Sequence, residues 1–384
     1  QGVKVKENFS SFLIEFETDH LIDTESSLIQ DFIDKINSDD DFRFTIQIDN
    51  GEAIALNYQE KLDNFIDKLN SDFKYYENGE IIRVKLEIFK HKGPYIWIYS
   101  YSDFKVFFNE LNLFDKLEIL NELFVSNSTI QLQTLEPDIK PFSTSKFTLN
   151  SDLPNVQKKL NKNHLDENCH FRNSDKYLVN PYFFNSINSE NHDFLKSFNS
   201  LCCLFSMIYI FDISSITDNK LYYKINGFKA IQGEINIDDN LDKGKELFFQ
   251  LFEWCYSDEG NAADKLGITR NIISIHFKNE LIKIEKSVII SVKSGFKTYL
   301  KENVSKYIEL RGKIQDELNW ISQKSGEIVD RYILSYQKSI FTFLSFFISI
   351  FVIRIIRRDI GSCSNIFSKD ANLFSIEFLA LSVI

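Results

Sequence analysis

The chain has 384 residues, 43% of them hydrophobic and 15% aromatic, enough to bury more than one core. A formal charge of −11 excludes a general nucleic-acid coat, because neutralising phosphates takes a cationic surface. Five cysteines without framework spacing exclude a disulfide scaffold and read as reduced thiols in a cytosolic compartment.

The opening QGVKVKENFSS holds no apolar core of secretory-signal length. Residues 9–16, 42–49 and 81–89 alternate apolar and polar side chains, as half-buried strands do. Asn50-Gly51 signals a hairpin turn. Residues 26–36 and 59–70 carry apolar side chains at helical spacing, and Ser102 is placed to cap a further helix. Residues 3–125 are therefore expected to form one α/β domain.

Pro137, Pro141, Pro154 and Pro181 all fall in the next stretch, which is rich in Asn, Ser and Lys. Residues 126–193 are accordingly expected to be an irregular connector. Residues 194–261 read as a second, α+β domain with a turn at Asn226-Gly227. Its apolar run Leu201–Phe211 has half the length a bilayer demands and is expected to be a core element.

From residue 262 the pattern turns helical. Leu300, Val304, Tyr307, Arg311, Ile314, Leu318, Ile321, Ser325, Ile328 and Tyr332 step alternately by four and three, the seam of a coiled coil or tight bundle. Arg311 and Ser325 break the apolar row and would fix register or oligomer state. Residues 262–337 are expected to form a helical stalk assembling a trimer to pentamer; some sixty helical residues would project on the order of 90 Å. The competing reading is an amphipathic helix packed on its own domain.

Ser339–Ile353 carries no charge, and Ile355 and Ile356 extend the run to near the length of a spanning helix. Residues 338–358 are expected to cross a membrane, 359–370 to form a loop and 371–384 to begin a second membrane segment. The fold class is thus α+β (or α/β) soluble domains followed by a long stalk and C-terminal transmembrane helices. Arg354 inside the run, and Arg357 and Arg358 at its exit, are candidate pore or membrane-interface residues. They would snorkel to headgroups or ring a pore mouth that selects anions. The free thiols put the soluble domains in the cytoplasm and the anchor in the cell inner membrane; the basic 357–370 loop then runs against the positive-inside rule.

Two further motifs carry chemistry in principle. AADKLGITRNIISIHF (262–277) has the spacing of a helix-turn-helix, with Gly267 at the turn and Thr269, Arg270, Asn271 and Ser274 as base or phosphate contacts. Its few cations, facing Asp258, Glu259 and Asp264, make DNA binding the runner-up. HLDENCH (164–170) offers His164, Asp166, Cys169 and His170, but they crowd one loop without the paired spacing of a zinc site. No phosphate loop, dinucleotide fingerprint or nucleophile elbow is present, so neither an enzyme nor a cofactor is expected.

The order of parts resembles the CorA-type cation-channel family: a cytoplasmic α/β domain, a long helix running into a first span, a short loop and a second span. The loop here reads RRDIGSCSNIF, with Gly361 and Asn365 but without that family's Gly-Met-Asn signature. The resemblance therefore implies no magnesium filter. It points to the branch associated with type III CRISPR antiviral defence, in which a nucleotide messenger opens the membrane part. What it implies for this chain is a homo-oligomer in membrane lipid with a small nucleotide ligand.

Overall fold

The structure, a computed structural model, describes residues 2–21, 26–58, 60–77, 79–136, 138–151, 168–187, 193–257, 261–356 and Ile376. The chain divides into two compact units, Gln1–Phe296 and Lys297–Ile384. The first unit holds two hydrophobic cores.

The smaller core lies under an antiparallel sheet of β1 (Lys4–Glu7), β2 (Ser11–Thr18), β5 (Ile82–Phe89), β3 (Asp41–Ile48) and β4 (Ile54–Asn57), in that spatial order. Alternation in β5 sends Ile82, Val84, Leu86 and Ile88 to the buried face. Helix α2 (Leu62–Phe73) covers them with Phe65 and Leu69, one turn apart; α1 (Ser26–Ile33) lies beside it. The reversal at Asn50-Gly51 forms, but the left-handed residue is Asp49 (φ 43°).

The larger core begins at Ile96, inside the stretch 3–125 expected to form one domain, and not at residue 194. Strands β6 (Tyr95–Ile98), β7 (Ile130–Thr134) and β9 (Phe147–Leu149) run parallel, with β8 (Phe142–Ser143) antiparallel at one edge. Helices α3 (Tyr101–Glu110) and α4 (Leu113–Ser126) make the crossover from β6 to β7. The cap of α3 is Ser100, whose hydroxyl accepts from the Asp103 N–H; Ser102 lies inside the helix. Residues 126–193 are thus no connector: β7, β8, β9, β10 (His170–Phe171) and α5 (Pro181–Phe184) lie there. Strands of two or three residues carry no period, and their stability comes from pairing with distant strands.

Nor is 194–261 a separate domain. Helix α6 (Leu195–Ile210) is apolar on nearly every side and is buried from Ser197 onward at almost every position, as expected for its apolar run. Phe194 and Phe198 meet Phe142 and Phe147 from the parallel sheet at 4.9–6.2 Å between ring centres. A third sheet, β10, β11 (Ile213–Thr217), β12 (Lys220–Asn226) and β13 (Ala230–Asn236), joins the same core, with α7 (Lys245–Cys255) and α8 (Ala262–His276). At the β12–β13 turn, a Cβ on Gly227 would strike the Arg270 carbonyl and lie 2.6 Å from the Ser274 hydroxyl, so only glycine allows the hairpin to seat on α8.

A buried ion pair joins the two cores. The Glu7 carboxylate accepts from Lys90 Nζ at 2.5 Å, from the Tyr99 N–H at 2.8 Å and from the Ser100 N–H at 2.5 Å. Lys90 Nζ also donates to the Asn8 carbonyl at 2.8 Å, and both side chains are wholly buried. Burial pushes the Glu7 carboxyl up and the Lys90 ammonium down, each partner opposing the shift. Two residues along, Phe9 crosses into the larger core against Phe104, 5.0 Å away. Removing one charge strands the other in a dry site. Lys90→Met is expected to cost roughly 3–5 kcal/mol, and adding Glu7→Leu to recover much of it, read from denaturant midpoints. Equal losses in the single and double variants would refute this coupling.

Candidate functional site

The C-terminal part of the structure is one helix, α9 (Val288–Ile356), of 69 residues. Val288 and Val292 are buried in the larger core, and Phe296 packs edge-on to Trp254 at 5.4 Å. From Lys301 to Ser345 every residue except Glu327 is exposed. The stalk therefore starts near Lys297, not at 262, because α8 and the residues leading to Val288 belong to the first unit.

The predicted seam is a stripe of uncovered apolar side chains: Leu300, Val304, Tyr307, Ile314, Leu318, Ile321, Ile328 and Tyr332 are 45–73% exposed. Arg311 and Ser325 interrupt it and are exposed as well. Ile308, Val329 and Tyr336, each one residue or turn beside the seam, widen the apolar face beyond a two-residue row. The ion pairs Lys313–Glu309 and Lys324–Glu327 sit off the seam. Such exposed pairs add only tenths of a kilocalorie per mole. Helix propensity and these pairs give α9 its local order, but they do not cover its apolar stripe.

Further along, an 18-residue stretch reaches a mean hydropathy of 1.6, and through Ile353 nearly all of it is exposed, Phe346 being buried. Among the described residues this is the one helix long and apolar enough to cross a membrane. Three of its four hydroxyls are satisfied on the helix itself: Ser339 donates to the Ser335 carbonyl at 3.1 Å, Thr342 to the Lys338 carbonyl at 2.9 Å and Ser349 to the Ser345 carbonyl at 2.8 Å. Arg354 lies in the last helical turn. Arg357, Arg358, the 359–370 loop and, apart from Ile376, the 371–384 segment lie outside the described residues.

The helix-turn-helix reading is corrected by the fold. Residues 262–276 form the single helix α8, with Gly267 in its interior. Thr269 and Ser274 are buried. Arg270 binds inward, to the carbonyls of Ile210 at 2.8 Å and Asn168 at 2.6 Å and to the Asp212 carboxylate at 3.0 Å. Only Asn271 of the four candidates is exposed. The arginine that looked like a phosphate contact holds α8 to the end of α6. His164 and Asp166 lie outside the described residues, while His170 stands in β10. Among the described residues no cluster of three His, Cys, Asp or Glu side chains is arranged to hold a metal. Burial pushes the Cys202 and Cys255 thiols up to about 12, which keeps them protonated and unreactive.

The sequence reading overlooked a polar hollow of about 440 Å³ lined by Trp97, Gln131, Leu132, Gln133, Thr134, Asn150 and Ser151. Asn150, left-handed at φ 47°, builds its edge: its N–H donates to the Leu132 carbonyl and its side chain accepts from the Thr134 N–H, both at 3.0 Å. The alternating glutamines of β7 were the available signal, hidden inside the supposed connector, while Trp97 lay in the expected first domain. Comparison with protein-family models, with curated proteins and with solved structures found no match to this chain.

Two outcomes follow from this geometry. Gly267 meets open space in a helix interior, so Gly267→Ala should raise stability by about 0.5–1 kcal/mol, whereas a glycine required by a turn would make it destabilising. Phe347→Asp places a carboxylate mid-run and should cost roughly 2.5–3.5 kcal/mol of insertion. It should move the protein from the carbonate-resistant membrane pellet towards the supernatant, as should ending the chain at Gln337.

Proposed function

We propose that this protein is a membrane-anchored, homo-oligomeric effector. Its N-terminal unit faces the cytoplasm at the inner membrane, senses a small signal and gates the membrane part, a role suited to antiviral defence. The observation that carries this reading is the continuous phase of α9. The steps of three and four that define the exposed seam run on through Ser335, Ser339, Thr342, Phe346, Ser349 and Ile353. In the aqueous stretch that stripe is apolar; in the apolar run it holds three of the four hydroxyls, Ser345 being the exception.

A stripe that is apolar in water and hydroxylated in lipid suits a face turned towards other helices in both solvents. The widened face favours three or more helices over two. Around such an axis, serine and threonine would present polar groups to a water-filled path, and Arg354 near its end would bias it towards anions. Buried, unpaired Cys202, Cys203 and Cys255 fit a reducing compartment for the first unit. A gate further requires a ligand that binds its two states unequally. A unit of 296 residues with its own cores offers more surface than an anchor needs.

Leu318→Asp with Ile321→Asp should reduce the detergent-solubilised protein from a trimer-to-pentamer mass to a monomer by mass photometry, since carboxylates would face one another around the axis. In liposomes, the wild type should show ligand-dependent anion flux that Arg354→Ala shifts towards cations. A wild-type monomer at micromolar concentration, or no flux under any candidate signal, would overturn the oligomeric gate.

A further inference from the structure

One cation of α9 stands apart from its neighbours. Between Tyr307 and Arg331, Lys313, Lys324 and Arg331 each lie within 4.0 Å of a carboxylate, that of Glu309 or Glu327. Arg311 has no such partner, and within the described residues its guanidinium makes no hydrogen bond. Of these cations it alone stands on the apolar seam. Its neighbours one helical turn away are Tyr307, Ile308, Ile314 and Gln315, with no carboxylate among them.

The consequence rests on the homo-oligomer proposed above, whose copies run parallel because one membrane anchors them all. Every seam residue then meets itself at the same height. Helix axes packed seam to seam lie about 8–10 Å apart. Side chains pointing inward come closer than that, inside the Debye length of about 8 Å at physiological salt, and are screened little. Residues flanking such a seam usually carry the charges that pair between helices. Beside Arg311 those positions hold Ile308 and Leu310, both exposed and apolar. The nearest carboxylate at a flanking position, Glu317, is about 9 Å further along the axis. It lies on the C-terminal side, whereas helical side chains lean towards the N-terminus. An arginine cannot relieve the crowding by giving up its proton. A ring of guanidinium groups among apolar neighbours thus lacks a counter-charge, and a buried charge without one is costly.

We propose that the seam binds one inorganic oxyanion of the phosphate class on the axis of the assembly, held by Arg311 of every copy. The planar guanidinium fork matches two oxygens of such an anion, which a spherical chloride does not offer. Tyr307, one turn towards the N-terminus on the same seam, brings a hydroxyl that makes no hydrogen bond within the described residues. That hydroxyl is a donor for the same anion. The anion binds the assembly and not the single chain, so its concentration sets how readily copies associate.

The test uses full-length protein in detergent, with phosphate exchanged for chloride at constant ionic strength. Equilibrium dialysis with labelled phosphate should find about one phosphate per assembly, not one per chain. By mass photometry, the protein concentration needed for assembly should fall about tenfold or more when millimolar phosphate replaces chloride. Sulfate should act as phosphate does. Arg311→Leu, at an exposed position where the fold of the single chain is not at stake, should bind no phosphate. It should assemble equally in both buffers, at least as readily as wild type does in phosphate. Arg311→Lys keeps the charge but loses the fork, and should bind phosphate severalfold more weakly. The proposal is overturned if wild type assembles equally well in chloride and phosphate, if it binds one phosphate per chain, or if Arg311→Leu still responds to phosphate. Failure of the oligomer reading looks different. Wild type and Arg311→Leu that both stay monomeric in both buffers remove the homo-oligomer and the site with it. An oligomer indifferent to the anion removes the site alone.

Discussion

The constraint on which this structure turns is the uncovered apolar stripe of α9. Each of its side chains lost conformational freedom on joining a helix without gaining the burial that normally offsets that loss. A fully buried leucine or isoleucine is worth about 1.5–3 kcal/mol, and eight seam positions forgo most of it. The apolar run from Ser339 to Ile353 repeats the problem in stronger form, with phenylalanine, isoleucine and leucine on every side but the hydroxyl-bearing stripe. Along most of their length neither stretch finds cover among the described residues, and one phase of three- and four-residue steps runs through both.

The first unit solves its own burial problem differently. It contains little methionine or alanine and much phenylalanine, so its larger core is assembled from rings meeting edge to face. Phe194 touches Tyr101, Phe104, Phe108, Phe142 and Phe147, which ties α3, α6 and the parallel sheet at one residue. Ring quadrupoles prefer those angled contacts, and rigid rings leave few alternative packings. Where two cores adjoin, the chain uses charge instead: Glu7 and Lys90 fit there only as a pair, with Tyr99 and Ser100 N–H groups completing the carboxylate's shell. Asp40 repeats the device one layer out, accepting from the Tyr99 hydroxyl and the His91 N–H. Burial that would reject a lone charge thereby fixes the joint in one geometry.

How much of this could be read from the residues depends on the range of the interactions involved. Strong local patterns were legible: the alternation of β5, the all-round apolar α6 and the heptad stripe each announce an element without knowledge of its neighbours. Elements that exist because of remote partners were not. Strands β8, β9 and β10 have two or three residues each and became strands only by pairing. Pro181 was taken for loop punctuation, yet it occupies the first turn of α5, where its missing N–H costs nothing. The two-residue turn between β11 and β12 is Asp218-Asn219, both left-handed, without the glycine that usually marks such a turn. Gly267 misled in the opposite direction, because a glycine in a helix interior looks like a stop. The hollow beside Trp97 was illegible for the same reason as its strands: its walls come from residues up to 54 positions apart, between Trp97 and Ser151.

At its root the long helix α9 shares residues with the core of the first unit. Trp254, in the last turn of α7, meets Phe296 of α9 with the edge of one ring to the face of the other. Lys265 of α8 stands over the same indole at 5.4 Å, and its ammonium donates to the Trp254 carbonyl at 3.1 Å and to Ser257 beyond it. Three helices therefore converge on one side chain, and the lysine caps the carbonyl end of α7 where the helix dipole favours a cation. Val288 and Val292 sink into the core just before that point. Close-packed interiors shift between discrete arrangements and do not deform smoothly. A rearrangement at the end of α7 would thus move the first turns of α9 as a body. Beyond them α9 is one helix from Val288 to Ile356 without proline, and Ser294-Gly295 and Ser325-Gly326 are the Gly/Ser pairs at which a long helix bends most readily.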